Sequence, residues 1–129
     1  MSIFHLAIPT HDLKAAEHFY VDVIGAVLCR QYSDRITLNF FDHQVVCHLS
    51  NDGIVDEPKI YPRHFGITFT DFDLYQNFYS NCLKFPQIIF REKNVRWPDR
   101  PEKHETFFLK DPSNNVLEFK YYYSDEFIY

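Results

Sequence analysis

Nothing in the chain marks it for a membrane, for nucleic acid or for a disulfide-held fold. No apolar run approaches the ~18 residues that a membrane span needs. The start Met1-Ser2-Ile3-Phe4 lacks the basic region and apolar stretch of a secretory leader. No block of lysine or arginine stands out and the formal net charge is -5, so nucleic acid and anionic membrane surfaces are poor partners. Cysteine is scarce: Cys29, Cys47 and Cys82 are an odd number with no C-x-x-C spacing. They read as reduced, mostly buried thiols of a cytoplasmic protein. What the chain has is bulk. Over 129 residues, 46% are apolar and 19% aromatic, with 14 Phe and 9 Tyr. That suffices for one domain with a sizeable core and side chains left to line a pocket.

The informative feature is an internal repeat. His5–Ile24 reads HLAIPTHDLKAAEHFYVDVI and His64–Leu83 reads HFGITFTDFDLYQNFYSNCL, at a constant offset of 59 residues. The offset places His5 on His64, Leu13 on Phe72, Phe19-Tyr20 on Phe78-Tyr79 and Ile24 on Leu83. Each segment predicts a short β-branched strand, Ile3–Pro9 or His64–Thr70, followed by an amphipathic helix. Asp12 or Thr10 is placed to cap the first helix and Asp71 or Asp73 the second. Gly25 is a stop for the first, and Pro86 cannot continue the second. Three strands follow each helix: Ala26–Gln31, Arg35–Phe41 and Gln44–Leu49, then Gln87–Arg91, Glu105–Leu109 and Val116–Tyr122. The charged stretch Glu92–His104, with Pro98 and Pro101, reads as a loop.

The expected organisation is a single domain over 1–129. A first module spans about 1–52, a linker about 53–62, a second module about 63–123 and a tail 124–129. The order is strand, helix and three strands, twice over. Neither unit buries its apolar face alone, so the two pair, within a chain or across a dimer, as a curved sheet with helices outside.

If a pseudo-two-fold axis relates the halves, equivalent residues converge near it. His5 and His64 open equivalent strands. Matching the turn Asp42-His43 to Asp111–Asn115 sets His48 opposite Glu118. Side chains alternate along a strand, so His5, His64 and Glu118 point away from their apolar neighbours. A carboxylate in such a strand needs a partner. Two imidazoles and a carboxylate with open positions suit Fe(II), Mn(II), Ni(II) or Zn(II). The bland alternative is that each histidine is a hydrogen-bonded structural residue and Glu118 faces solvent. His11, His18 and His43 read as solvated. His104, at a loop edge, is a candidate to reach substrate, and Arg30, Arg63 and Arg91 are candidates to clamp an anion.

The segments FHLAIPTHDLKAAEHFY, DHQVVCHLS, HFGITFT and FFLKDPSNNVLEFKYYY together resemble the glyoxalase, bleomycin-resistance and extradiol-dioxygenase superfamily, the vicinal oxygen chelate proteins. The resemblance is nearest to small single-domain members read as dioxygenases. It implies an α+β fold of two βαβββ modules forming a partly open, U-shaped barrel with helices outside, and a homodimer. It also implies a divalent metal, Fe(II) first and Mn, Ni or Zn otherwise, on His5, His64 and Glu118. His48 then falls where lyase and isomerase members place a fourth ligand, usually a carboxylate. As a non-ligand, His48 or His104 is the candidate catalytic base or proton donor. The implied activity is extradiol-type cleavage of a small catecholic or aromatic substrate. The rivals are a redox-neutral lyase, isomerase or thiol transferase, and a metal-free module that sequesters a small molecule.

Overall fold

A computed structural model describes residues 1–129 and divides them into two compact units. The first is Met1–Pro58 with the turn Asp111–Asn115; the second is Lys59–Lys110 with Val116–Tyr129. Unit 1 runs β1 (His5–Thr10), α1 (Leu13–Glu17), β2 (Val27–Gln31), β3 (Arg35–Phe40) and β4 (His43–Leu49). Its sheet order is β1-β4-β3-β2, with β1 parallel to β4 and the other pairs antiparallel. Unit 2 repeats the plan with β5 (Phe65–Phe69), α2 (Phe72–Cys82), β6 (Ile89–Arg96), β7 (His104–Lys110) and β8 (Val116–Tyr122), in the order β5-β8-β7-β6. The fold is α+β, two βαβββ modules of one mixed four-stranded sheet each.

Capping starts both helices. Asp12 Oδ1 accepts from Lys14 N at 2.9 Å and Ala15 N at 3.1 Å; Asp71 Oδ1 accepts from Leu74 N at 3.1 Å. Beyond Glu17 the first helix widens into a π-helical turn, His18–Val23, closed by Ile24 N on Phe19 O at 3.0 Å. The consecutive Phe19 and Tyr20 are both buried in this wide turn. Gly25, at φ +87°, ends it. The second helix packs Tyr75 and Cys82 inward and leaves Phe72 and Leu83 exposed, so the apolar stripe is narrower than its spacing predicts. Pro86 opens a short 3₁₀ turn, Pro86–Ile88, instead of the strand expected from Gln87. β6 continues to Arg96, so Glu92–Arg96 is strand and not loop. Its charged residues mark an edge strand, where exposed charge opposes further pairing.

The turn after β7 belongs with unit 1 because Asp111 ties it there. Its Oδ2 accepts from the Tyr20 hydroxyl at 2.7 Å and Asn115 Nδ2 at 2.8 Å, and Oδ1 from Ser113 N and Asn115 N at 2.8 and 2.9 Å. Asn115 also donates to Pro9 O at 2.9 Å. His11, expected to be only solvated, meets Ser113 Oγ at 2.7 Å through Nδ1. Cys47 and Cys82 are buried, and burial pushes each thiol up to about 12; Cys29 is exposed. No helix is long and apolar enough to cross a membrane.

Candidate metal centre

In unit 2 the alternation of β8 sends Leu117, Phe119 and Tyr121 to the face that packs on α2. Glu118 and Lys120 go to the opposite face. Register pairs Gly66 with Glu118, Phe108 with Glu118, and Thr106 with Lys120. Gly66 is required there, because a Cβ at that position would collide with the Glu118 backbone. An open recess of about 180 Å³ results, lined by His64, Gly66, Ile67, Thr68, Glu118 and Lys120.

His64 stands one residue before β5. Its Nδ1 lies 2.7 Å from the Ile60 carbonyl, which only accepts, so Nδ1 carries the hydrogen. In the neutral ring, Nε2 then presents a lone pair, and it faces Glu118 Oε1 at 3.3 Å. The other carboxylate oxygen, Oε2, accepts from Thr106 Oγ1 at 2.7 Å. Lys120 Nζ lies 3.6 Å from Oε1. Both members of the pair are sheltered, with side chains 25% and 12% exposed. A lone pair and a carboxylate oxygen that converge need a cation between them, a proton or a metal ion. A histidine whose second ring nitrogen donates to a backbone carbonyl is the arrangement metal-ligating histidines adopt. The donor set therefore fits a divalent ion.

Neither unit by itself gathers three or more His, Cys, Asp or Glu side chains into a metal-binding group. His5 begins β1 in unit 1, exposed and level with Gln44. His48 needs correction. In unit 1, Ala7 pairs with Val46 as Gly66 pairs with Glu118 in unit 2, and Pro9 pairs with His48 as Thr68 pairs with Lys120. The residue equivalent to Glu118 is thus the buried Val46, and His48 is equivalent to Lys120. His48 is exposed on β4.

His104 is buried at the start of β7, not at a loose loop edge. Its Nδ1 donates to Glu102 O at 2.9 Å, and its ring lies 4.5 Å from that of Tyr122 and 5.6 Å from Trp97. His18 is exposed beside Asp22 at 3.1 Å, and His43 Nδ1 accepts from Phe4 N at 3.2 Å. Arg30 and Arg63 are exposed, and Arg91 folds onto its neighbour Phe90. Thr106 and Lys120, which touch Glu118, and Arg96, which reaches the Tyr61 beside His64, do not stand out in the sequence. Lys120 was within reach, two residues from Glu118 on one strand. Thr106 depends on β7–β8 register, and Arg96 lay in a segment read as loop.

Neither a protein-family model nor a curated protein sequence matches the chain. Solved structures do. A glyoxalase/bleomycin resistance/dioxygenase protein from Alicyclobacillus acidocaldarius is 50% identical, covers 99% of this chain and 96% of its own, and superposes at a TM-score of 0.94. A fosfomycin resistance protein from Listeria monocytogenes (13% identity, 99% and 98% covered, TM-score 0.72) and a lactoylglutathione lyase from Agrobacterium tumefaciens (19%, 93% and 92%, 0.68) share the fold. With half its residues identical to the first of these over almost the whole length of both, the chain belongs to the glyoxalase/bleomycin resistance/dioxygenase family, within the vicinal oxygen chelate superfamily.

Proposed function

We propose that this chain is a metal-dependent enzyme that chelates two neighbouring oxygens of a small catecholic or aromatic substrate and works as an extradiol-type dioxygenase. The observation that carries the reading is the approach of His64 Nε2 to Glu118 Oε1 at 3.3 Å, with no hydrogen available between them on a neutral ring. His64 and Glu118 would hold the ion, with His5 of unit 1 as third ligand. When bound, a divalent ion would supply Lewis-acid stabilisation of negative charge on the substrate's adjacent oxygens and, as Fe(II), a relay for electrons from the catechol to O2 with no net change at the metal.

The residues of the chain do the rest. Ile60 O fixes the His64 tautomer, and Thr106 holds Glu118 in one orientation by its far oxygen. Val46 at the position equivalent to Glu118 leaves two histidines and one carboxylate with no fourth side-chain ligand, the set associated with non-haem Fe(II) oxygenases. Mn, Ni or Zn in the same set would favour redox-neutral chemistry. His104, its Nδ1 committed to Glu102, offers Nε2 for proton exchange on the same face of the sheet as Glu118. His48, exposed on β4 of unit 1 at the position equivalent to Lys120, is the other candidate for that role. The active form is a homodimer, and the free thiols suit a reducing cytoplasm.

The test is O2 uptake by protein reconstituted anaerobically with Fe(II) and then given catechols. Uptake matched to ring opening, and lost in His64→Ala, is the expected result. Turnover without O2 on Mn, Ni or Zn would transfer the reading to a lyase, isomerase or thiol transferase. Ligand binding that survives both metal removal and His64→Ala, in a protein that turns over no substrate with any of these metals, would indicate a sequestration module.

A further inference from the structure

Lys120 stands beside the His64–Glu118 pair and Arg96 reaches Tyr61, the ring next to His64; neither is a candidate to ligate the ion. Lys120 leaves β8 on the face of Glu118. Its Nζ lies 3.6 Å from Glu118 Oε1, 3.4 Å from the Tyr122 hydroxyl and 5.3 Å from the centre of the Tyr122 ring. It shares that one carboxylate with His64 and has no acid of its own. Arg96, the last residue of β6, is level with His104, which is level with Tyr122. All three share the face of Lys120, one residue pair, roughly 7 Å, further along the strands. The Arg96 side chain turns back toward the pair: Nη1 donates to the Tyr61 hydroxyl at 3.3 Å, and the Tyr61 ring meets His64 edge-on at 5.9 Å. No carboxylate pairs with Arg96, and its Nε is buried without a hydrogen-bond partner. A desolvated, unpaired guanidinium N–H is costly, and an oxyanion is the acceptor that geometry suits best.

We infer that Lys120 and Arg96 form an anion subsite beside the metal centre, so that the substrate carries an acidic group, a carboxylate or a phosphoryl or phosphonyl group, next to its chelating oxygens. The inference rests on the proposed function for where the reacting oxygens lie; the subsite itself needs no metal. Lys120 supplies a compact charge toward the Glu118 end, Arg96 a planar pair of donors at the Tyr61 end, and the Tyr61 and Tyr122 hydroxyls complete the donor ring. Neutral catechols would leave Arg96 without an acid and Lys120 with only the carboxylate it shares with His64, so the subsite acts as a selector for acidic substrates.

The test titrates inorganic phosphate and, separately, benzoate into the full-length protein by calorimetry, both as purified and after chelator treatment. Lys120→Met, Arg96→Gln and Lys120→Arg are run alongside. Binding of either probe to the chelator-treated wild type is expected, with the better probe naming the acidic group. Lys120→Met and Arg96→Gln should each weaken it about tenfold or more, and Lys120→Arg should keep most of it. Circular dichroism and metal content, unchanged in the variants, separate this from misfolding or a damaged metal centre. No binding of either probe to wild type, or equal affinity in both charge-removing variants, overturns the subsite. Anion binding in a protein that takes up no metal would support the subsite while removing the metal reading; metal without anion binding does the reverse.

Discussion

The two oxygens of Glu118 have separate partners, and each partner has a separate consequence. Oε1 faces His64 and Lys120; Oε2 is held by the Thr106 hydroxyl at 2.7 Å. Valine replaces threonine with nearly the same shape but no donor. Thr106→Val is therefore expected to leave the protein folded and to weaken divalent-metal binding about 10- to 100-fold, read by competition with a chromophoric chelator. Unchanged affinity would mean that Thr106 does not orient the carboxylate. At this scale the sequence was partly legible. His64 and Glu118 stand out through the repeat and strand parity, and they do meet. Their supports do not stand out, because Thr106 reaches Glu118 only through strand pairing and Ile60 only through the path of the chain before β5.

Among the elements, strands and helices follow from periodicity, and the errors occur where local chemistry imitates another signal. The sequence pattern ends β6 at Arg91, because Glu92, Lys93 and Asn94 look like loop residues. They are charged or polar because β6 is an edge, and Lys93 pairs with Glu105 at 3.4 Å. The pairing of His48 with Glu118 failed because turns of different length hide the strand register, which alone decides which side chains are level. The Asp111–Asn115 turn looked like ordinary turn composition, yet Asp111 is buried and binds Tyr20, Ser113 and Asn115. Burial pushes its carboxyl above the usual 3.8, and the hydrogen bonds from Asn115, Tyr20 and Ser113 offset this only in part. The folded protein then binds this proton more readily than the unfolded chain does. The contribution is full below 3.8 and is lost as pH rises through the folded value. Asp111→Asn has no proton to exchange. The stability of wild type relative to Asp111→Asn should accordingly fall between acidic and neutral pH, measured as urea midpoints. A rise over that range would show that the hydrogen bonds outweigh burial.

For the whole molecule, the repeat was the decisive signal, since two similar half-sequences predict two similar modules, and two βαβββ units are what the chain forms. A repeat does not say which units face each other. Under the proposed function His64 and Glu118 of unit 2 are two of the ligands and His5 is the third. The homodimer proposal predicts a solution mass of twice 15.6 kDa by light scattering. A monomer at all working concentrations would remove the dimer from the account and require His5 to act within its own chain.

The central claim is that His64 and Glu118 hold a divalent metal. It is tested most directly by elemental mass spectrometry on anaerobically purified protein beside Glu118→Ala, both confirmed as folded. The account predicts close to one divalent ion per chain in the wild type, iron first, and almost none in the variant. Wild-type protein that holds no metal after incubation with Fe(II), Mn(II), Ni(II) and Zn(II), or a variant that holds as much as wild type, would contradict it.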